Sequence, residues 1–170
     1  MTATVMAPGV GVDAKNLKKG QKVKSLTFGT YNCRSLPLEG YDKIFDDMVS
    51  NDISLLALQE IRKKEGRTYS GTCSLLMYGP AEDRKGGVGF AAVGELAKKE
   101  MKFEIISSRI ARLSFGENES NITIWTVYAP TENYEIDIKE GFYKDLYEDY
   151  VSVDSPIKVI MGDFNASIGN

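Results

Sequence analysis

No histidine occurs among the 170 residues, and cysteine occurs only twice, as Cys33 and Cys73. Zinc sites draw their ligands mainly from those two residue types, so the composition argues against a zinc centre. Long apolar runs are also missing, and none approaches the roughly 20 residues that cross a bilayer as a helix. The first stretch, Met1 to Val12, lacks a basic start and is too short in apolar residues for a secretory signal. These absences predict an intracellular protein, nuclear or cytoplasmic, that does not engage a membrane. They also predict two buried free thiols in strand regions rather than a disulfide. Without secretion, the glycosylation-type triplets beginning at Asn118, Asn121 and Asn165 are chance matches.

Net charge is scarce too. Lys and Arg number 21 against 24 Asp and Glu, which leaves -3 and weighs mildly against a strong non-specific grip on nucleic acid. The distribution is uneven. Lys15, Lys18, Lys19, Lys22 and Lys24 form a basic lead-in, while the segment from Glu132 to Asp154 is rich in acids. Solvated surface accounts for the acids, and contact with phosphates is a second use for the lysines.

What is present is an ordinary globular composition, 42% hydrophobic and 26% charged, in a chain long enough for one domain with its own core. Residues 1–23 show no sustained period and are read as a flexible basic arm. Gly9-Val10-Gly11 lacks a preceding strand and a following helix, so it is not a dinucleotide fingerprint. The domain proper is placed at 24–170. A strand runs from Ser25 to Tyr31. Tyr41, Ile44, Phe45, Met48 and Val49 then recur at helical spacing. The nearly all-apolar run Ile53 to Leu58 predicts a strand covered on both faces. The basic residues Arg62, Lys63, Lys64 and Arg67 read as loop, and Cys73 to Tyr78 as strand. Glu82 to Lys85 is a charged turn before Gly86-Gly87-Val88-Gly89, which no Lys-Ser/Thr pair follows. That stretch is a glycine-rich start of a strand rather than a phosphate loop. Met101 to Ile106, Arg109 to Phe115 and Asn121 to Tyr128 are successive strands, the last two joined as a hairpin at Gly116. A second amphipathic helix carries Ile138, Phe142, Leu146 and Tyr150. Tyr143 and Tyr147 flank its stripe, where packing on a sheet is favoured over a base-stacking surface.

Polar residues end four of the apolar runs: Asn32, Glu60, Tyr128 and, after Val159 to Met161, Asp163 with Asn165 two positions on. Residues i and i+2 of an extended segment share a face. For Asp163 and Asn165 alone, an Asx-stabilised turn is an equal reading. Repetition at four strand ends points instead to a site on a sheet rim, with oxygen donors suited to a hard cation and an anionic substrate.

Thr30-Tyr31-Asn32, Leu58-Gln59-Glu60-Ile61-Arg62, Gly86-Gly87-Val88-Gly89, Tyr128-Ala129-Pro130-Thr131 and Gly162-Asp163-Phe164-Asn165 occur in one order. In that order and spacing the chain resembles the endonuclease/exonuclease/phosphatase superfamily. It looks most like the endonucleases of non-LTR retrotransposons and the related craniofacial development protein 2-like proteins. The resemblance implies an α/β fold, a two-sheet αββα sandwich of the deoxyribonuclease I type. It implies that Glu60 is a ligand for Mg²⁺, with Mn²⁺ as substitute, and that Asn32 supports metal and phosphate. Asp163 would orient or deprotonate water, Asn165 and Tyr128 would bond phosphate oxygens, and Arg62 would touch the nucleic-acid backbone. Arg109 and Arg112 are both candidates for structuring the rim. The implied function is Mg²⁺-dependent cleavage of phosphodiesters, as a DNA-nicking endonuclease of retrotransposon origin, with RNA as a second nucleic acid.

The chain also departs from that pattern. A Ser-Asp-His segment and a further strand are expected beyond Gly-Asp-Phe-Asn, whereas the sequence has no histidine and runs five residues past Asn165. The expectation is a C-terminally truncated domain, poorly active because a lost acid/base group costs about 10²- to 10⁴-fold. An exposed apolar sheet face would make it prone to self-association. A non-catalytic remnant that binds nucleic acid or protein is one alternative. A phosphoinositide or sphingolipid phosphoesterase is another, which fold analogy does not exclude.

Overall fold

The computed structural model describes residues 26–36, 41–82 and 85–166, so the lysine-rich arm lies outside the described residues. Two sheets pack face to face. In the first, β1 (Phe28–Asn32) lies parallel to β2 (Leu55–Gln59), and α1 (Tyr41–Ser50) forms the crossover that a parallel pair needs. Beyond β2 the sheet continues antiparallel through β5 (Gly89–Val93) and β4 (Ser74–Tyr78) to β3 (Arg67–Ser70). The second sheet runs β6 (Met101–Ser107), β7 (Ile110–Phe115), β8 (Ile122–Tyr128), β9 (Ile157–Asp163). Its parallel pair is β8 and β9, joined by α2 (Ile136–Ser152). Each sheet therefore places one β-α-β unit at an edge.

Side-chain alternation explains the layers. Leu55 and Ala57 of β2 point inward with Phe90 and Ala92 of β5, against Ala111 and Leu113 of β7, Ile124 of β8 and Met161 of β9. The alternate residues Leu56, Leu58 and Ala91 point outward and are covered by Phe45 and Met48 of α1. All five residues of β2 are buried, as its continuous apolar run requires. Burial of a single Leu is worth about 1.5–3 kcal/mol, more than the roughly 1 kcal/mol span of strand propensity. Coverage on both faces, not intrinsic preference, makes this segment a strand.

On the outer face of the second sheet Phe142 and Leu146 of α2 pack on Ile110, Trp125 and Val127, and the Tyr150 ring lies 5.2 Å from Trp125. Tyr143 and Tyr147 correct the expectation of sheet packing, for they are 49% and 67% exposed. One residue of helix rotates a side chain by about 100°, which carries both away from the 142-146-150 face. Ile138 is likewise half-exposed, so the buried stripe begins at Phe142. Asp149 fixes the helix to the sheet. Its carboxylate accepts from the buried Trp125 Nε1 at 2.6 Å and from Arg112 at 2.7 Å, while Arg112 also pairs with Glu104 at 2.6 Å.

Other expectations need amendment. The wet apolar sheet face is not found among the described residues, since each sheet faces the other on one side and a helix on the opposite side. The largest group of exposed apolar side chains lies on α2, at Ile136, Ile138, Tyr143, Tyr147 and Val151, with others at Tyr31 and Ile160 of the adjoining edge strands β1 and β9 and at Phe164 just past β9. Both cysteines are free, but Cys73 is exposed ahead of β4. Cys33 is half-buried one residue past β1, and burial pushes its thiol up to about 12. Arg67, expected as loop, opens the exposed strand β3, whose RTYS sequence carries no apolar alternation to betray it. Among the described residues no helix is long and apolar enough to cross a membrane.

Two outcomes follow from the Asp149 and Glu104 contacts. Asp149→Ala leaves the indole N–H and half of the Arg112 fork unpaired in a buried layer, and should destabilise the fold by about 2–4 kcal/mol in urea denaturation. The hydrogen bond from Arg112 holds the Glu104 carboxyl below its ordinary value, against burial and with help from Lys102. A lowered folded value gives stability that is present above the unfolded carboxylate pKa and is lost as pH falls through the lowered one. Glu104→Gln should therefore reduce stability near neutrality and flatten the acid limb below about pH 4.5, read from thermal unfolding at a series of pH values.

Candidate active site

Parallel pairing sends the C-terminal ends of β1 and β2 to one rim, and the ends of β8 and β9 arrive at the same place. Asn32 ends β1, Glu60 follows β2, Tyr128 ends β8 and Asp163 ends β9. The Asn32 amide joins the two sheets. Its Nδ2 donates to Glu60 Oε1 at 2.6 Å and to Asp163 Oδ2 at 2.9 Å, while its Oδ1 accepts from the Arg34 backbone N–H at 3.1 Å. Asn32 thus enters the site as a donor, and acting as a metal ligand would require it to turn its oxygen away from Arg34.

The second Glu60 oxygen is paired with the Arg62 guanidinium, and the Tyr128 phenol is also hydrogen-bonded to Glu60. Burial pushes the Glu60 carboxyl up, but the hydrogen bonds from Asn32, Arg62 and Tyr128 and the Arg62 charge outweigh it and hold the group below its ordinary value. Tyr128 moves the other way. Burial first, then the Glu60 charge and hydrogen bond, raise its phenol, so it remains a protonated donor well above neutral pH.

Asp163 and Asn165 do form the Asx-type turn that was one reading of them, with the Asn165 N–H on Asp163 Oδ1 at 3.0 Å. The Asp163 carboxylate also meets Asn32 at the shared rim. Asn165 stands one step away, its Nδ2 donating to the Ala129 carbonyl at 2.7 Å. Gly162 precedes them at φ +147, where a Cβ would collide with the Val127 carbonyl oxygen. Only glycine lets β9 close on β8 and deliver Asp163.

The backbone around Glu60 is held in a conformation that side chains disfavour. Glu60 and Arg62 have φ of +51 and +56, left-handed values that cost non-glycine residues on the order of 1–3 kcal/mol. Neighbouring loops hold it there. Ile61 and Arg62 donate to the carbonyls of Gly87 and Gly86 at 3.0 Å, and Ser35 donates to the Glu60 carbonyl at 2.8 Å. A Cβ on Gly87 would stand 3.3 Å from the Arg62 nitrogen, so the paired glycines allow one loop to splint another.

One part of the site escaped the sequence reading and a second was left open by it. Gln59, buried beneath Glu60, accepts from Thr30 Oγ1 at 3.1 Å and donates to Thr126 Oγ1 at 3.1 Å across the sheets. The Thr126 hydroxyl in turn donates to the Leu58 carbonyl at 3.3 Å. The second part settles the choice between two arginines. Arg109 is at the rim, 5.1 and 5.0 Å from the ring centres of Tyr128 and Tyr134, donating to the Tyr128 carbonyl and Tyr134 hydroxyl. Arg112 lies on the far face beneath α2.

Among the described residues, no three His, Cys, Asp or Glu side chains gather into a closed metal cage. The donor set is Glu60 and Asp163 linked through Asn32. One or two carboxylates are what Mg²⁺ takes from a protein when waters and substrate oxygens complete its octahedron, so these residues fit an open site of that kind.

A two-sheet α/β sandwich with this topology is the deoxyribonuclease I-like fold of endonuclease/exonuclease/phosphatase proteins. The chain matches the endonuclease domain of TRAS1, a telomere-specific non-LTR retrotransposon, with TM-score 0.57 and 13% identity over 83% of this chain and 59% of that one. It matches an endonuclease/exonuclease/phosphatase family protein from Leptotrichia buccalis with TM-score 0.54 and 15% identity, over 83% and 67% of the two chains. In sequence it is 26% identical over 145 residues, 84% of this chain, to craniofacial development protein 2 of Bos taurus and of Tragulus javanicus. The chain spans about a quarter of the length of these curated relatives, 24% and 25%. No protein-family model matches it. The resemblance read from five ordered motifs is thus met by the fold.

The buried amide gives a test of what aligns the rim. Gln59→Leu removes the cross-sheet bond and should cost about 1–3 kcal/mol in urea unfolding, because the Thr30 and Thr126 hydroxyls lose a partner in a dry layer.

Proposed function

We propose that this rim hydrolyses phosphodiester bonds in DNA with a divalent metal, as an endonuclease of the non-LTR retrotransposon type. The observation that carries the reading is the Asn32 amide clasping one carboxylate from each sheet, Glu60 at 2.6 Å and Asp163 at 2.9 Å. Such a clasp keeps two acids close together and both oriented towards one point.

Glu60, ionised and held by Asn32, would bind Mg²⁺ or Mn²⁺, an ion that supplies positive charge against the phosphoryl oxygens when bound. Asp163 is oriented from both sides, by the Asn32 amide and the Asn165 backbone N–H. In this reading it takes the proton of an attacking water. Tyr128, kept protonated, would turn its single O–H from Glu60 to a phosphate oxygen, and Arg109 beneath its ring holds the ring in place. Asn165 has one amide hydrogen on Ala129 and leaves the second for phosphate. A structural neighbour that is the endonuclease domain of a telomere-specific non-LTR retrotransposon supports DNA over RNA as substrate.

The test is nicking of supercoiled plasmid by the purified chain in Mg²⁺. Glu60→Gln and Asp163→Asn should each lower the rate by about 10²-fold or more with far-UV circular dichroism unchanged, and a chelator should abolish cleavage. Unchanged nicking in either variant would remove that residue from the chemistry. Equal cleavage of RNA would shift the substrate assignment.

A further inference from the structure

Arg62 is bound to the very carboxylate that the proposed chemistry needs for the metal. Its guanidinium pairs with Glu60 Oε2, while Oε1 is taken by Asn32. Among the described residues Arg62 forms no other ion pair. The two partners differ in freedom. The Glu60 side chain is 12% exposed and tied by Asn32 and Tyr128, whereas the Arg62 side chain is 42% exposed. Behind them the backbone of 61–62 is anchored on Gly86 and Gly87. The element that can move is therefore the long Arg62 side chain alone.

We infer that Arg62 is a built-in placeholder cation that couples metal binding to nucleic-acid binding. In the free protein the guanidinium neutralises Glu60 and keeps its carboxylate oriented. A guanidinium and a divalent ion on one carboxylate repel each other strongly in a partly buried site. Arg62 therefore lets go when Glu60 takes the ion. The released guanidinium remains at the rim, where a planar five-donor fork suits a backbone phosphate in bidentate contact. Two consequences are linked by reciprocity. Arg62 weakens metal binding in the absence of DNA, and the metal strengthens DNA binding through Arg62. The inference rests on the reading of Glu60 as the ion's ligand.

The experiment measures Mn²⁺ binding to the full chain by titration calorimetry and by electron paramagnetic resonance of the free ion, without DNA. Wild type, Arg62→Ala and Arg62→Lys are compared, with circular dichroism confirming the fold of each. Arg62→Ala should bind Mn²⁺ about 5-fold or more tightly than wild type, the lower end of ordinary coupling between sites, with Arg62→Lys in between. A fluorescent DNA duplex, followed by anisotropy with and without Mn²⁺, should show metal-enhanced binding in wild type that is lost in Arg62→Ala. Equal or weaker Mn²⁺ binding by Arg62→Ala overturns the placeholder role and leaves the metal reading of Glu60 intact. Absence of Mn²⁺ binding in all three proteins overturns both.

Discussion

Two sheets of a sandwich can slide over an apolar interface at little cost, because burial has no preferred direction. A rim assembled from the ends of four strands requires that they do not. The Gln59 amide resolves this, bonding Thr30 on its own sheet and Thr126 on the other, with the Thr126 hydroxyl turned back to the Leu58 carbonyl. Hydrogen bonds are directional where apolar contact is not, and in a dry layer an unmade one is costly. The bridge therefore fixes β2 against β8 one residue below Glu60 and two below Tyr128. Asn32 repeats the same lock at the surface, between Glu60 and Asp163. The site is the upper end of a polar seam whose lower end is buried.

Much of this was legible in the sequence, for a definite reason. A strand end is a local event, and an apolar run terminated by Asn, Glu, Tyr or Asp is visible within a few residues. The four rim residues and the strands that carry them were found that way. What was not legible is relational. Gln59 sits inside a quoted motif, yet its partner Thr126 is 67 residues away, and nothing local says that an amide at the end of a strand points into another sheet. Arg109 and Arg112 are indistinguishable by composition. Arg112 lies within β7 on the face that α2 covers, whereas Arg109 precedes β7 beside the end of β8, and long-range pairing rather than local sequence decides this. Tyr143 and Tyr147 erred by one helical position, which is enough to turn a packed face into an exposed one.

Conformational strain accompanies the same seam. Glu60, Arg62 and Asn165 all have positive φ, and each sits within three residues of the end of β2 or β9. The strain is offset by hydrogen bonds to loops that are themselves fixed, the Gly86-Gly87 turn behind Arg62 and the Ala129 carbonyl beside Asn165. At Gly87 and Gly162 glycine also lets a second backbone approach. The glycine-rich motif that resembles a phosphate loop is thus a splint for an acidic one.

Charge at the rim explains why such a site calls for a cation. Two carboxylates, Glu60 and Asp163, share one neutral amide, and only Glu60 has a paired guanidinium. A phosphate group approaching this surface meets two carboxylates, while Arg62 is engaged by Glu60 and Arg109 by the Tyr128 carbonyl and the Tyr134 hydroxyl. Hydrogen bonds from Asn32 and Tyr128 hold the Glu60 acid ionised, so protonation near neutral pH does not relieve the repulsion. On the proposed reading, a positive ion between the two acids offsets their repulsion of a phosphate. The acids and the phosphate become compatible once a hard cation lies between them, which is the arrangement that paired carboxylates without histidine can support.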